Sequence, residues 1–398
     1  MPTGTHIALG LATIMGVVAV VAWTAMRRRH MHLWLWSQLW QAMSRGRVVP
    51  GEEVHVFICI ADHFEPGWGN ADSATADARV EAWVTEYPFA LGCFQDSDGR
   101  PPRHTFFYPI DEYEPRHVDA IAGLCRRGYG EVEIHLHHDN DTAENLRRTL
   151  DTFTRTFSER HEVLGRWKDG RPAFGFVHGN WALDNSRPDG RWCGVTNELG
   201  VLQKAGCYAD FTLPSAPDAT QTRTINSMYY AKGKDGCCKS HDQGTPMRAG
   251  TPAPDGLLMI QGPLRAFWSR ASRRMRVENG CVQRGQPATM ERLDRWIRAG
   301  VRVEGKPDWV FVKLHTHGAK PENREVLLGK AGIEFHAALA ERALRDSCFR
   351  YHYVTAREMF NLAKAAENGG ECAVTGAMDF EISAPRPYNW ANCRVRAE

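Results

Sequence analysis

Apolar residues first gather between Ile7 and Met26, in the uncharged run IALGLATIMGVVAVVAWTAM. At about 1.5 Å of helical rise per residue the run spans roughly 30 Å, the thickness of a bilayer's hydrocarbon, and so predicts one membrane-spanning helix. Met1 to His6 carry no Lys or Arg, unlike the basic start of a cleaved signal peptide. Basic residues follow the run instead: Arg27, Arg28 and Arg29, with Arg45 and Arg47 beyond. By the positive-inside rule this places the remainder of the chain in the cytoplasm, on a single-pass N-terminal anchor. Trp34, Trp36 and Trp40 mark a short amphipathic stretch suited to the headgroup level. Residues 1–50 are thus expected to be anchor (about 7–26) and juxtamembrane segment.

After Pro50 and Gly51 the pattern changes. His55 to Ala61 (HVFICIA) is nearly all apolar, as in a strand covered on both faces. A second strand, Val132 to His137, leads into Asp141 and Glu144 at capping-box spacing, and Leu146, Leu150, Phe153 and Phe157 then form one helical face. Phe174 to Val177 predicts another strand, Thr196 to Ala205 a helix, Trp309 to Leu314 a strand, and about 324–344 a helix. Strands alternating with helices predict an α/β fold with parallel strands. Polar residues gather where those strands end: Asp62 and His63, then His135, His137 and His138, then His178, then His315 and His317. Barrel enzymes place their chemistry there, so the expected fold is a distorted (β/α) barrel over residues 51–365. The Gly-, Pro-, Ser-, Thr- and Asp-rich stretch 185–256 forms a long loop insertion over one face, and 366–398 a peripheral tail. At 398 residues the chain is long enough for one such barrel.

Composition narrows the partners. With 49 basic and 47 acidic residues the net charge is +2, so no global field draws the chain to nucleic acid. Eleven cysteines, an odd number without a C-x-x-C pair, suit reduced thiols better than disulfides or a thiolate zinc site.

Candidate chemistry follows from the strand ends. His135 and His137 point to one side of a strand, so both imidazoles can face one ion, while His138 or Asp139 can replace His137 where strand becomes loop. Asp62 and His63 offer a carboxylate and an imidazole beside them. With His63 as ligand, Asp62 is free as general base; with Asp62 as ligand, the base comes from elsewhere, Glu65 being the candidate. His315 and His317 face the same way, and one of them serves as general acid, His315 by preference, or both as ligands. Trp181 offers a ring to stack on a sugar, with His178 and Asn180 to bond its hydroxyls and His241 adding a polar group from the long loop.

At these positions the chain resembles the polysaccharide deacetylase family, distorted (β/α) barrels that use a divalent metal to remove acetyl groups from sugars. The family's T-F-D-D motif overlays Ile60-Ala61-Asp62-His63, making Asp62 base-like and His63 ligand-like, or, shifted by one place, Asp62 the ligand. Its H-[ST]-x-x-H motif overlays His135 to Asp139, which keeps the first His and puts Asp where the second stands. Its Arg-rich turn is similar to Val177–Trp181 without the Arg, and its L-x-H motif to Leu314-His315-Thr316-His317. The resemblance implies a metal-dependent hydrolase acting on a saccharide of envelope or exopolysaccharide metabolism, with ligands among His63, His135, His137 and His138; the nitrogen and oxygen donors favour zinc, and a cytoplasmic placement a lipid- or nucleotide-linked sugar. Two alternatives stand beside it. One is a glycoside hydrolase on the same barrel, which needs two carboxylates such as Asp62 and Glu65. The other is a catalytically degenerate, membrane-tethered sugar-binding protein.

Overall fold

In Val54–His63 (β1) the side chains alternate between two hydrophobic clusters: Val56 and Ile58 enter one, Phe57, Cys59 and Ala61 the other. That alternation, with both faces apolar, is what a central parallel strand needs. The computed structural model describes residues 3–44, 51–370 and 373–385, with side chains from Thr13 onward in the first helix. The sheet continues through β2 (His104–Pro109), β3 (Gly130–Leu136), β4 (Pro172–His178), β5 (Cys207–Asp210), β6 (Met228–Ala231), β7 (Leu257–Ile260), β8 (Trp309–Thr316) and β9 (Phe349–Tyr353). Its order is β8-β1-β2-β3-β4-β5-β7-β6, with β9 beside the first half of β1, and short flanking strands bring the count to twelve. All main pairings are parallel except β7 with β6. Outer helices cover one face through residues such as Trp83, Leu146, Leu150 and Trp296. The other face is filled by Phe107, Phe211 and Phe311 and sealed by the helix Ala356–Asn368, which contributes Met359 and Phe360.

The expected barrel does not close among the described residues. Beyond β7 the sheet turns antiparallel onto β6, so no parallel strand is left to meet β8. The outer edge of β8 is satisfied by irregular chain instead: Phe311 N donates to Val301 O, His315 N to Gly280 O, and Val282 N to His315 O. A side chain bridges what a ladder would have spanned. Buried Lys313 donates from Nζ to Phe211 O at 2.5 Å and Leu213 O at 2.6 Å. The architecture is therefore a mixed α/β fold around an open, mostly parallel sheet.

The expected anchor is also corrected. Among the described residues no helix is long and apolar enough to cross a membrane. The first helix runs Thr3–Arg28. The segment after it packs on protein, not at a headgroup layer. Trp34 is fully buried with Ile225 and Leu264, while Gln38 and Gln41 hydrogen-bond Ala266 and Ile225. Trp36 and Trp40 of this stretch are exposed. A single-pass membrane location with a cytoplasmic domain thus loses its basis; of the basic residues that oriented it, Arg45 and Arg47 lie outside the described residues, as do Cys372, Cys393 and the end of the tail.

Local differences have local causes. The helix expected to start at an Asp141–Glu144 box is capped by Thr142, whose hydroxyl accepts from Asn145 N. The helix at 324–344 is two, Pro321–Leu328 and Lys330–Arg345, divided at Gly329. Residues 185–256 contain the helix Glu198–Lys204 with β5 and β6.

Candidate metal centre

Three parallel strand ends deliver the imidazoles. His63 closes β1, His135 stands one residue before the end of β3, and His315 lies on β8 with His317 just past it. The β1 exit then folds back: Trp68 N donates to Glu65 O, Gly67 N to a Glu112 carboxylate oxygen, and Arg79 to Pro66 O. That turn aims Glu65 into the sheet mouth, where it is 3% exposed. Ligand atoms of His63, Glu65 and His135 fall within 4.8 Å of one another. The His63 ring lies 4.9 Å from that of His135 and 4.8 Å from that of His317.

The donor set fits a cation. His135 Nδ1 bonds Val177 O on the neighbouring β4 at 2.8 Å, and only an N–H can bond a carbonyl. In a neutral ring so bonded, Nε2 is a bare lone pair, yet it faces Glu65 Oε1 at 3.0 Å. Lone pair against carboxylate repels unless a second proton or a cation lies between them. Carbonyl-oriented imidazole is also the usual posture of a metal-ligating His.

Electrostatics in the mouth are polarised. Burial, then the neighbouring His317 and His135, holds His63 well below the usual histidine range. Burial works to raise the Glu65 pKa, but hydrogen bonds from His135 and His137 prevail and hold it well below the carboxylate range. His137 behaves oppositely: burial opposes its charge, but Asp111 and Glu65 raise it to about 10. Asp111 receives both the His137 backbone amide at 3.0 Å and its Nδ1 at 3.2 Å. His317 is lowered, chiefly by burial, against the pull of Glu65 and Asp62.

Asp62 is placed differently from its neighbour. Strand alternation turns it outward, where Oδ1 accepts from Gly318 N at 2.6 Å and Oδ2 pairs with His104 Nε2 at 2.8 Å. Both oxygens are therefore engaged, and Asp62 is not among the groups whose ligand atoms converge with those of His63 and His135. Its contact with Gly318 ties β1 to the turn after β8, and a Cβ at Gly318 would lie 2.2 Å from Asp62 Oδ2.

The four expected imidazole ligands divide between two places. His63 and His135 meet as above, with His137 contacting Glu65 at 3.4 Å. His138 turns the other way, into a second group with His178, Cys193 and Glu198, whose ligand atoms again lie within 4.8 Å. Asp139 joins neither, since its Oδ1 accepts from Asn140 N and Trp192 N. A third group, Asp96, Asp98 and His352, lies where β9 runs beside the start of β1 and is internally hydrogen-bonded.

A cavity of about 590 Å³ is lined by Trp181, His315, His317, Gln283, Arg274 and Arg276 among others; the first group adjoins it through His317, 4.8 Å from the His63 ring. Trp68, 41% exposed, faces His317 at 5.1 Å between ring centres, and Trp181 at 6.4 Å. Of the residues expected to bind substrate, Trp181 is at the cavity and Asn180 precedes it in a left-handed turn (φ 54°). His178 and His241 are fully buried and do not line it. Sequence reasoning missed Asp111, Cys193, Glu198 and Trp68. Only Trp68 carried a signal, an aromatic residue in the turn Glu65-Pro66-Gly67-Trp68 after a strand end.

Comparison of the chain with known protein families and with curated proteins finds no match, so the function has to be argued from this geometry.

Proposed function

We propose that the chain is a metal-dependent hydrolase that removes acyl groups, acetyl foremost, from a saccharide. The observation that carries this reading is the convergence of His63, Glu65 and His135 beside His317, which lines a cavity and lies 4.8 Å from the His63 ring. When bound there, a divalent ion polarises the scissile carbonyl and acidifies a water; zinc suits such a mixed nitrogen and oxygen donor set. The chain's own residues do the rest. His317 is neutral near pH 7 because burial lowers its pKa, so it takes the proton of the attacking water and returns it to the departing amine or alkoxide. His315, buried with Nδ1 unpartnered, backs it at the cavity wall. Asp62 positions the turn carrying His317 through Gly318. Trp68 and Trp181 present rings on two sides of His317, a surface on which a pyranose can stack. The resemblance of these strand ends to polysaccharide deacetylases supports acetyl as the acyl group.

The test is product analysis with the full chain on acetylated chito-oligosaccharides and acetylated xylan. Acetate released at unchanged chain length supports the reading; shortened glycan without acetate, or sugar binding with no turnover, rejects it. His317→Ala is expected to lower kcat by about 10²–10⁴ while the bound metal stays.

A further inference from the structure

We propose that His138, His178, Cys193 and Glu198 form a second metal site, a closed one that holds a structural zinc ion. His178, Cys193 and Glu198 are 0% exposed, and the His138 side chain is 7% exposed. No solvent-facing position is left, which is the hallmark of a structural and not a catalytic zinc site.

The hydrogen bonds around the group leave a gap that a cation fills. His178 Nδ1 donates to Gly179 O at 2.6 Å, so in the neutral ring Nε2 carries the lone pair; it is buried without a hydrogen-bond partner. It points at Glu198 Oε1, 3.5 Å away, an atom that can only accept. The same Oε1 faces His138 Nε2 at 3.1 Å, while His138 Nδ1 lies 3.2 Å from Asp141 Oδ2. A carbonyl that accepts from the far ring nitrogen, as Gly179 O does for His178, is an outer partner that orients a metal-bound histidine; His138 Nδ1 makes no hydrogen bond and has only the Asp141 carboxylate near it. Cys193 Sγ stands 3.4 Å from Glu198 Oε2 and receives the amides of Asn185 at 3.3 Å and Val195 at 3.4 Å. As a thiol it has Val195 O or Glu198 Oε2 to donate to; as a thiolate it keeps both amide donors, which stabilise negative sulfur. Glu198 is fixed in turn by Asp184 N on Oε2 at 2.6 Å.

The ion would tie the ends of β3 and β4 to residues 179–197, the segment that carries Trp181 into the cavity. Its role is to hold that wall in place, whether or not the cavity is hydrolytic.

Cobalt substitution tests this in the full chain. Among the clusters described, only this one includes sulfur, so a thiolate-to-cobalt charge-transfer band in the near ultraviolet reports on it alone. The band is expected in wild type and in His135→Ala, and is expected to vanish in Cys193→Ser. A Cys281→Ser control retains it. Zinc per chain is expected to fall from two to one in Cys193→Ser and equally in Glu198→Gln, with a lower melting temperature in each. Should a variant fail to fold, the wild-type protein still decides: no charge-transfer band, or a melting temperature unmoved by chelation, overturns the second site. Loss of zinc in His135→Ala alone, with Cys193→Ser unchanged, overturns it too and leaves the cavity site standing.

Discussion

Glu65 shows how one side chain sets the character of the mouth. Its charge is held by His135 and His137, and neutralising it removes both the ligand charge and one of the two carboxylates, with Asp111, that keep His137 protonated. Glu65→Gln is expected to weaken metal binding by at least tenfold, read by competition with a chromophoric chelator; unchanged affinity contradicts its role as ligand. His241 gives a pH test of a different kind. It is fully buried with neither ring nitrogen hydrogen-bonded, and burial, then Lys239, lowers its pKa to about 3. The unfolded chain takes up a proton near pH 6.5 that the folded ring refuses until about 3. Stability is therefore complete above 6.5 and declines as pH falls toward 3. His241→Leu is expected to flatten that decline in thermal melts between pH 7 and 4; an identical slope contradicts the assignment. The residue scale also shows a limit of spacing arguments. His135, His137 and His138 were visible as a cluster, but nothing in their order says that a strand end sends the first two to Glu65 and the third to Glu198.

Strands with long apolar runs were legible as elements. β1, β4 and β8 are buried on both faces and their apolar runs are nearly continuous, whereas β3 (GEVEIHL), equally buried, alternates polar with apolar residues. β5, β6 and β7 are four residues each, and β9 (FRYHY) alternates polar and aromatic positions, so neither length nor pattern announces them. Closure failed as an inference because polar residues at strand ends mark the carboxyl edge of any parallel sheet, open or closed. Lys313 is the element-scale consequence, a side chain doing what a ladder does in a closed barrel. Lys313→Met removes the Nζ donor from the Phe211 carbonyl and leaves Leu213 O with only Gly262 N, and is expected to cost roughly 1–3 kcal/mol, measured by denaturant unfolding. A loss below about 1 kcal/mol contradicts the bridging role. Gly318→Ala forces the Asp62 carboxylate from its place, and is expected to destabilise the fold by about 1–3 kcal/mol and to lower kcat with the metal retained.

Across the whole molecule, the N-terminal segment contributes to the rim of the cavity. Trp34 is buried in the protein, and Arg29 reaches the cavity rim alongside Arg274 and Arg276. Near-zero net charge concealed this local basic rim, because composition averages over the chain. Anionic saccharides are therefore expected to bind more tightly than neutral ones of equal size, with the advantage fading toward 1 M salt, where the screening length is about 3 Å. Equal affinity at low salt contradicts a substrate-facing rim.

The proposed hydrolysis requires an ion held by His63, Glu65 and His135 close to His317. Acetate release by chelator-stripped protein, followed as zinc is added back, tests it most directly. Activity is expected to be absent in the stripped protein, to return in wild type as zinc saturates the site, and not to return in His135→Ala; acetate release that survives stripping, or never appears at any zinc concentration, contradicts it.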